Sequence, residues 1–162
     1  VVLGYGLCSN AVVGVTSTAL PLVVPRVHDC ISLYMGSRNQ YDEAFKGCPG
    51  SYYLTAGWLE LERDPKGVME RDYAPSVGDE TAKWCMEQEL AHYKKFAFIN
   101  NGIRDPEPLR KRMQENADLF NMETEEVSAT LAFFERILTG PYDTDEFVRV
   151  APGETISQSV FL

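Results

Sequence analysis

The chain has 162 residues, 44% of them hydrophobic, 24% charged and 11% aromatic. One domain is the natural expectation at this length, and the composition excludes a low-complexity or disordered chain. Fifteen Lys and Arg against 24 Asp and Glu give a formal charge of -9, which excludes an extended nucleic-acid surface, because phosphate binding needs a concentrated basic face.

The densest basic run, Arg110-Lys111-Arg112, lies between Glu107 and Glu115 and reads as a solvated helix face. No apolar run approaches the roughly 20 residues of a membrane span. The longest, Ala11 to Val24, is broken by Gly14, Thr16, Ser17, Thr18 and Pro21.

In chain order, Val1 to Leu7 reads as a buried strand, and Ser9 to Val15 as the start of a helix with Ser9 or Asn10 as cap. Leu20 to Val27 is a second strand, bounded by Pro21 and Pro25. Asp29 caps a short helix through Met35, and Tyr41 to Phe45 is another helical piece, stopped by Gly47 and Pro49. Ser51 to Leu61 reads as a third strand. Arg63 to Gly78, broken by Pro65, Gly67 and Pro75, reads as a long connection suited to a lid.

Asp79 is expected to cap a helix through Lys94 with Ala82, Cys85, Met86, Leu90 and Tyr93 as its apolar stripe. Phe96 to Asn100 is a fourth strand. Asp105 and Pro106 open a helix whose inner face carries Leu109, Met113, Asn116, Ala117 and Phe120. Thr124 is expected to cap a further helix with Val127, Leu131, Phe134 and Leu138 inward, ending at Gly140-Pro141. Phe147 to Val150 is a last strand.

Alternating strands and helices predict an α/β fold, a three-layer sandwich around a mostly parallel central sheet, Rossmann-like and within a single domain. Ligands of such sheets gather beyond the carboxyl ends of the strands. That rule selects Cys8, Ser9 and Asn10 after the first strand, and Arg26, His28, Asp29 and Cys30 after the second. It adds Thr55, Trp58 and Glu60 from the third and Asn100 and Asn101 from the fourth.

The four cysteines, Cys8, Cys30, Cys48 and Cys85, show no Cys-x-x-Cys spacing. No basic leader precedes them, so reduced thiols in the cytoplasm are expected. The opening at Val1, without Met, reads as a fragment that lacks an N-terminal segment.

Two thiols and an imidazole, Cys8, His28 and Cys30, are a donor set suited to a transition metal, above all zinc, with one coordination position left open. Asp29 would orient the imidazole. Arg26 would hold an anion or balance thiolate charge, and Arg26, Trp58 and Asn10 are the expected cofactor contacts. The bland alternative makes Cys8 and Cys30 small buried residues and His28 a cap or core filler. A third reading needs no metal: Arg26 and His28 would lower a thiol pKa and make Cys8 or Cys30 a nucleophile.

Gly4-x-Gly6-x-x-Ser9 lacks the third glycine of a dinucleotide fingerprint, and its glycines lie within the strand. Cys48 reads as incidental, Cys85 as core and His92 as a surface residue.

The segments Gly4-Tyr5-Gly6-Leu7-Cys8-Ser9-Asn10, Pro25-Arg26-Val27-His28-Asp29-Cys30-Ile31 and Ser51-Tyr52-Tyr53-Leu54-Thr55-Ala56-Gly57-Trp58 resemble the domain-of-unknown-function family numbered sixteen-thirty-eight. The resemblance implies no activity. It implies a setting, one-carbon metabolism beside corrinoid-dependent methylamine methyltransferases. It also implies an additional N-terminal segment in family members.

The expectation is therefore a metal-binding α/β protein of methyl-transfer metabolism, with a small anionic or thiol substrate, or a methyltransferase or corrinoid protein as partner. A corrinoid would be reached only through that partner. The alternatives are a metal-free cysteine enzyme and a non-catalytic module that binds a methyltransferase.

Overall fold

The computed structural model describes residues 1–161. The chain forms two compact units, Val1–Glu43 with Thr130–Leu162, and Ala44–Ala129. Each has its own sheet, so the fold is mixed α/β with a parallel three-stranded sheet.

The second unit is the more regular. Strand β2 (Ser51–Thr55) pairs in parallel with β3 (Lys95–Asn100), and β3 pairs in parallel with β4 (Glu123–Ser128). Parallel neighbours need crossover connections, and helices supply them. Between β2 and β3 run α3 (Ala56–Glu60), α4 (Pro65–Val68), a π-helical turn (Met69–Tyr73), α5 (Ala74–Val77) and α6 (Asp79–Leu90). Helix α7 (Pro106–Phe120) connects β3 to β4.

The inner face of the sheet presents Leu54, Phe96 and Phe98 to Met86 and Leu90 of α6 and to Leu109, Met113 and Ala117 of α7. Those helical positions recur at the three- and four-residue spacing of one buried stripe. Asp105 accepts from the Glu107 N–H at 3.1 Å and Pro106 opens α7, as the sequence predicts.

Three sequence expectations in this unit are corrected. The third strand stops at Thr55, because the Thr55 hydroxyl accepts from the Trp58 N–H at 3.3 Å and caps α3. Arg63 to Gly78 is helical rather than a loose lid. Pro65 sits in the first turn of α4, where its missing N–H costs nothing. The π-helical turn then carries the chain into α5, with Pro75 again in a first turn. Finally, residues 123–128 form a strand, not a helix capped by Thr124. The backbone of β3 needs a partner there, and tertiary pairing overrides the helical preference of the three glutamates. Lys95 to Glu125 and Arg110 to Glu126 ion pairs dress this charged strand.

The first unit holds β1 (Leu22–Pro25) and β5 (Phe147–Val150), which pair antiparallel. It also holds α1 (Ile31–Met35) and α8 (Ala132–Thr139), while α2 (Arg38–Gly47) begins in it. Val1 to Leu7 is not a buried strand. It runs beside β1 with a single bridge, Val2 to Val23, and Val1 and Val2 are exposed. Ser9 to Val15 is a series of turns rather than a helix. Phe133 and Ile137 are the buried residues of α8, whereas Leu138 is 81% exposed. No described helix is long and apolar enough to cross a membrane.

Asp64 is the buried charge of the second unit, with no exposure. Its carboxylate accepts from Arg112 Nε at 2.8 Å and Nη2 at 3.0 Å, and from the Gly67 N–H at 3.0 Å. Gly67 is required by this close packing, since a Cβ there would lie 2.0 Å from the Glu62 carbonyl oxygen. Asp64→Ala strands the Arg112 guanidinium and uncaps α4, so a loss of about 3 kcal/mol is expected, read as a lowered urea midpoint. An unchanged midpoint would contradict the role assigned to this pair.

Tyr52 gives a second expectation. Burial, with Tyr93 and Glu89 adding, pushes its phenol from 10.0 up to about 12. The neutral phenol is the form the fold favours. Its contribution is therefore complete below pH 10 and lost as pH rises toward 12. Burial also raises Tyr53, and the bond to Glu89 raises Tyr73, so an ultraviolet tyrosinate titration of the native chain should show several delayed phenols, and Tyr52→Phe should remove the most delayed component.

Candidate functional site

The site begins with a backbone pairing. Leu7 N–H donates to the Val27 carbonyl at 2.9 Å, and Cys8 N–H donates to the His28 carbonyl at 2.8 Å. The first stretch of chain is thereby laid along the end of β1. Gly6 permits the approach: a Cβ there would meet Val27 Cγ2 at 2.7 Å and the Val27 carbonyl oxygen at 2.9 Å. Two sequence motifs read as separate strand ends therefore meet within one unit.

The chain leaves this pairing through an unusual turn. Cys8, Ser9 and Asn10 all have positive φ, at 38°, 55° and 69°. Side chains disfavour that region, by roughly 1–2 kcal/mol per residue. Asn tolerates it best, which explains Asn10 as the last of the three. Asn10 is exposed, and its carbonyl accepts from the Val13 N–H at 3.0 Å.

The pairing lays Cys8 against His28, two residues before Cys30. Both thiols are free and partly buried. Burial is the largest influence on both thiols; against it, the Gly6 amide and then the Cys30 amide lower Cys8, and the Cys30 amide lowers its own thiol. Burial pushes both thiols above their ordinary range. The Cys8 charge raises Cys30 further, and Asp29 raises both. Uncompensated negative charge is thus disfavoured here, a condition that a bound cation reverses.

Asp29 has structural duties. Its Oδ1 accepts from the Ile31 N–H at 2.9 Å, starting α1 as the sequence predicts. Its Oδ2 accepts from the Tyr41 hydroxyl at 3.3 Å. His28 is exposed and contributes its carbonyl to the pairing with Cys8. Among the described residues no group of three or more His, Cys, Asp and Glu is arranged to hold a metal ion.

Arg26 N–H donates to the Glu146 carbonyl at 2.7 Å, which fixes its backbone. Its side-chain Nε is buried without a hydrogen-bond partner. A buried guanidinium nitrogen left unpaired is costly, and an anionic ligand would satisfy it. Trp58 lies in the second unit, on α3, with 39% exposure.

At the carboxyl ends of the parallel strands, the polar residues selected by the sequence are engaged with each other. Asn100 Nδ2 donates to Glu126 Oε1 at 2.8 Å, and Arg104 Nε to Glu60 Oε1 at 2.9 Å. A cleft of about 710 Å³ lies at the opposite, amino-terminal ends of β3 and β4, between Tyr93, Lys94, Phe120 and Met122. That is the wrong end for ligand binding in a parallel sheet.

Cys48, read from the sequence as incidental, lines a cleft of about 380 Å³ with Tyr53, Lys95 and Glu125. The Ser51 hydroxyl lowers its thiol, helped by the Gly50 N–H and the charges of Lys95 and Lys94. No motif announced this; the neighbours arrive from β2 and β3. Cys85 sits half-buried on α6, beside its buried stripe.

Comparison with known proteins gives one match. A family model described as "Protein of unknown function (DUF1638)" matches residues 1–138. No curated protein and no solved structure matches the chain.

The opposed shifts order the thiols. At neutral pH, iodoacetamide should label Cys48 before Cys8 or Cys30, as followed by peptide mass mapping. Prior labelling of Cys8 or Cys30 would contradict the environments described. A second expectation concerns Gly6. Gly6→Ala forces Val27 away and should cost about 1–3 kcal/mol, with faster labelling of Cys8 and Cys30 as the pairing loosens.

Proposed function

We propose that this chain, which belongs to the DUF1638 family of proteins of unknown function, is a metal-binding α/β protein whose primary ligands are the thiolates of Cys8 and Cys30. The observation that carries the reading is the backbone bond from Cys8 N–H to the His28 carbonyl at 2.8 Å, which lays Cys8 against the residue two before Cys30. Paired soft donors suit zinc above other common ions. His28 is exposed one residue before Asp29 and supplies a third donor when it turns inward. The donor set then leaves a coordination position open to substrate. A metal in this place would act as a Lewis acid toward a bound thiol or water.

Arg26, with its unpartnered Nε, would hold an anionic group of the substrate. Asn10 belongs to the turn that follows Cys8, and Trp58, exposed on the second unit, would offer a cofactor or partner a separate contact there. In fold terms the reading is Rossmann-like, supported by three parallel strands with helical crossovers. The family resemblance supplies the setting: one-carbon metabolism in the cytoplasm, with a methyltransferase or corrinoid protein as partner.

A second reading has its own support. No described group of three donors is preassembled, so the thiol pair is also compatible with a cysteine-dependent reaction that needs no metal.

Cobalt(II) titration separates the two. Under the metal reading, one equivalent binds with an intense thiolate charge-transfer band. Cys8→Ala and Cys30→Ala should each weaken binding by at least about tenfold, as loss of supporting donors does in other sites. Cys48→Ala and Cys85→Ala should not. Absence of the band in the wild-type chain would overturn the metal reading.

A further inference from the structure

We infer that the cleft of about 710 Å³ at the amino-terminal ends of β3 and β4 binds a small organic cation, a primary ammonium or guanidinium carried on an apolar stem. The cleft belongs to the second unit, and the inference is independent of the thiol reading above.

Helix polarity supplies the first argument. The rule that places ligands at the carboxyl ends of parallel strands serves anions, which helix N-termini attract there. The opposite end collects helix C-termini, and its preference is reversed. Leu90 closes α6 and Phe120 closes α7, and both line the cleft. Each such helix end carries about half a negative charge. A basic residue in the last turn offsets that charge in many helices, and neither of these helices has one.

Open acceptors supply the second argument. Asn121 N–H turns back to the Ala117 carbonyl, and Met122 N–H joins it there at 3.0 Å. Glu123 N–H pairs instead with the Lys94 carbonyl at 3.2 Å. The carbonyls of Asp118, Leu119 and Phe120 are thus left without a backbone donor among the described residues. Such oxygens call for N–H donors, which selects an ammonium or guanidinium over a quaternary ammonium.

Side chains supply the third. Glu87 and Glu123 line the cleft. Glu123 has no ion-pair partner among the described residues, and Glu87 meets Lys83 only at 3.9 Å. Lys94 is the single cation among the described lining residues, so the lining is net negative. Tyr93, Phe120 and Met122 add apolar surface for an alkyl stem, and aromatic rings attract cations. These walls are preformed. Tyr93 stands edge-on to the Tyr52 ring at 5.0 Å, and Phe120 and Met122 pack against the core of the unit. The cleft is of the size that holds small ligands.

The test follows the full chain by amide correlation NMR during titration with hexylammonium. Saturable shifts should centre on Ala91, Tyr93, Asn121, Met122 and Glu123, and butylguanidinium should act at the same amides. Tetraethylammonium, charged but without N–H donors, should bind about tenfold more weakly. Hexanoate should not bind. Glu87→Gln and Glu123→Gln should each weaken hexylammonium binding about two- to fivefold. Glu80→Gln, in the first turn of α6, should not. All three glutamates are exposed, so these variants read binding rather than folding. Absence of a saturable shift at the cleft amides would overturn the inference. So would equal binding of tetraethylammonium or hexanoate, or affinity unchanged in both cleft variants. Cobalt binding at the cysteines stands or falls separately from each of these results.

Discussion

The functional account depends on one backbone hydrogen bond, from Cys8 N–H to the carbonyl of His28. It ties an irregular N-terminal stretch to the end of β1 where no regular ladder does so. The approach is possible because Gly6 has no side chain to strike Val27. At that bond the chain turns through three left-handed residues, Cys8, Ser9 and Asn10. Local strain, a missing Cβ and two soft nucleophiles occupy the same few residues. Strain of this kind persists only where the surroundings enforce it, and it is commonest at functional sites.

The surroundings of the pair favour the protonated thiols. Burial, the neighbouring thiol and Asp29 all oppose thiolate formation. A protein that needed a free nucleophile at neutral pH would be expected to do the reverse, as the surroundings of Cys48 do. The thiols of this chain thus divide by environment. The Ser51 hydroxyl and nearby lysines lower the Cys48 thiol, while burial raises those of Cys8 and Cys30.

Much of the second unit was legible in the sequence. Asp105-Pro106 and the spacing of Leu109, Met113 and Ala117 read correctly as α7, because capping and burial follow local rules. Phe96 to Asn100 read correctly as a strand, β3. Residues 123–128 did not read as a strand, because their pairing is dictated by β3, far away in sequence. Arg63 to Gly78 did not read as helical, because its prolines fall in first turns, where they do no harm, and a π-helical turn joins the pieces.

The candidate site was legible in part. Residue chemistry singled out Cys8, Arg26, His28 and Cys30, and the structure joins the backbone of Cys8 to that of His28. It leaves the Arg26 Nε unpartnered. Register was not legible, since nothing in the residues fixes a pairing made through backbone atoms. The duties of Asp29 toward Ile31 and Tyr41 were likewise only half visible: the helix start is local, and the tyrosine lies twelve residues on. The most direct test of the convergence is titration with a trivalent arsenical, phenylarsine oxide, which binds tightly only to two sulfurs it can bridge. One equivalent per chain, recovered as an arsenic bridge between Cys8 and Cys30, is the predicted result. An arsenical that fails to bridge these two sulfurs would contradict the account.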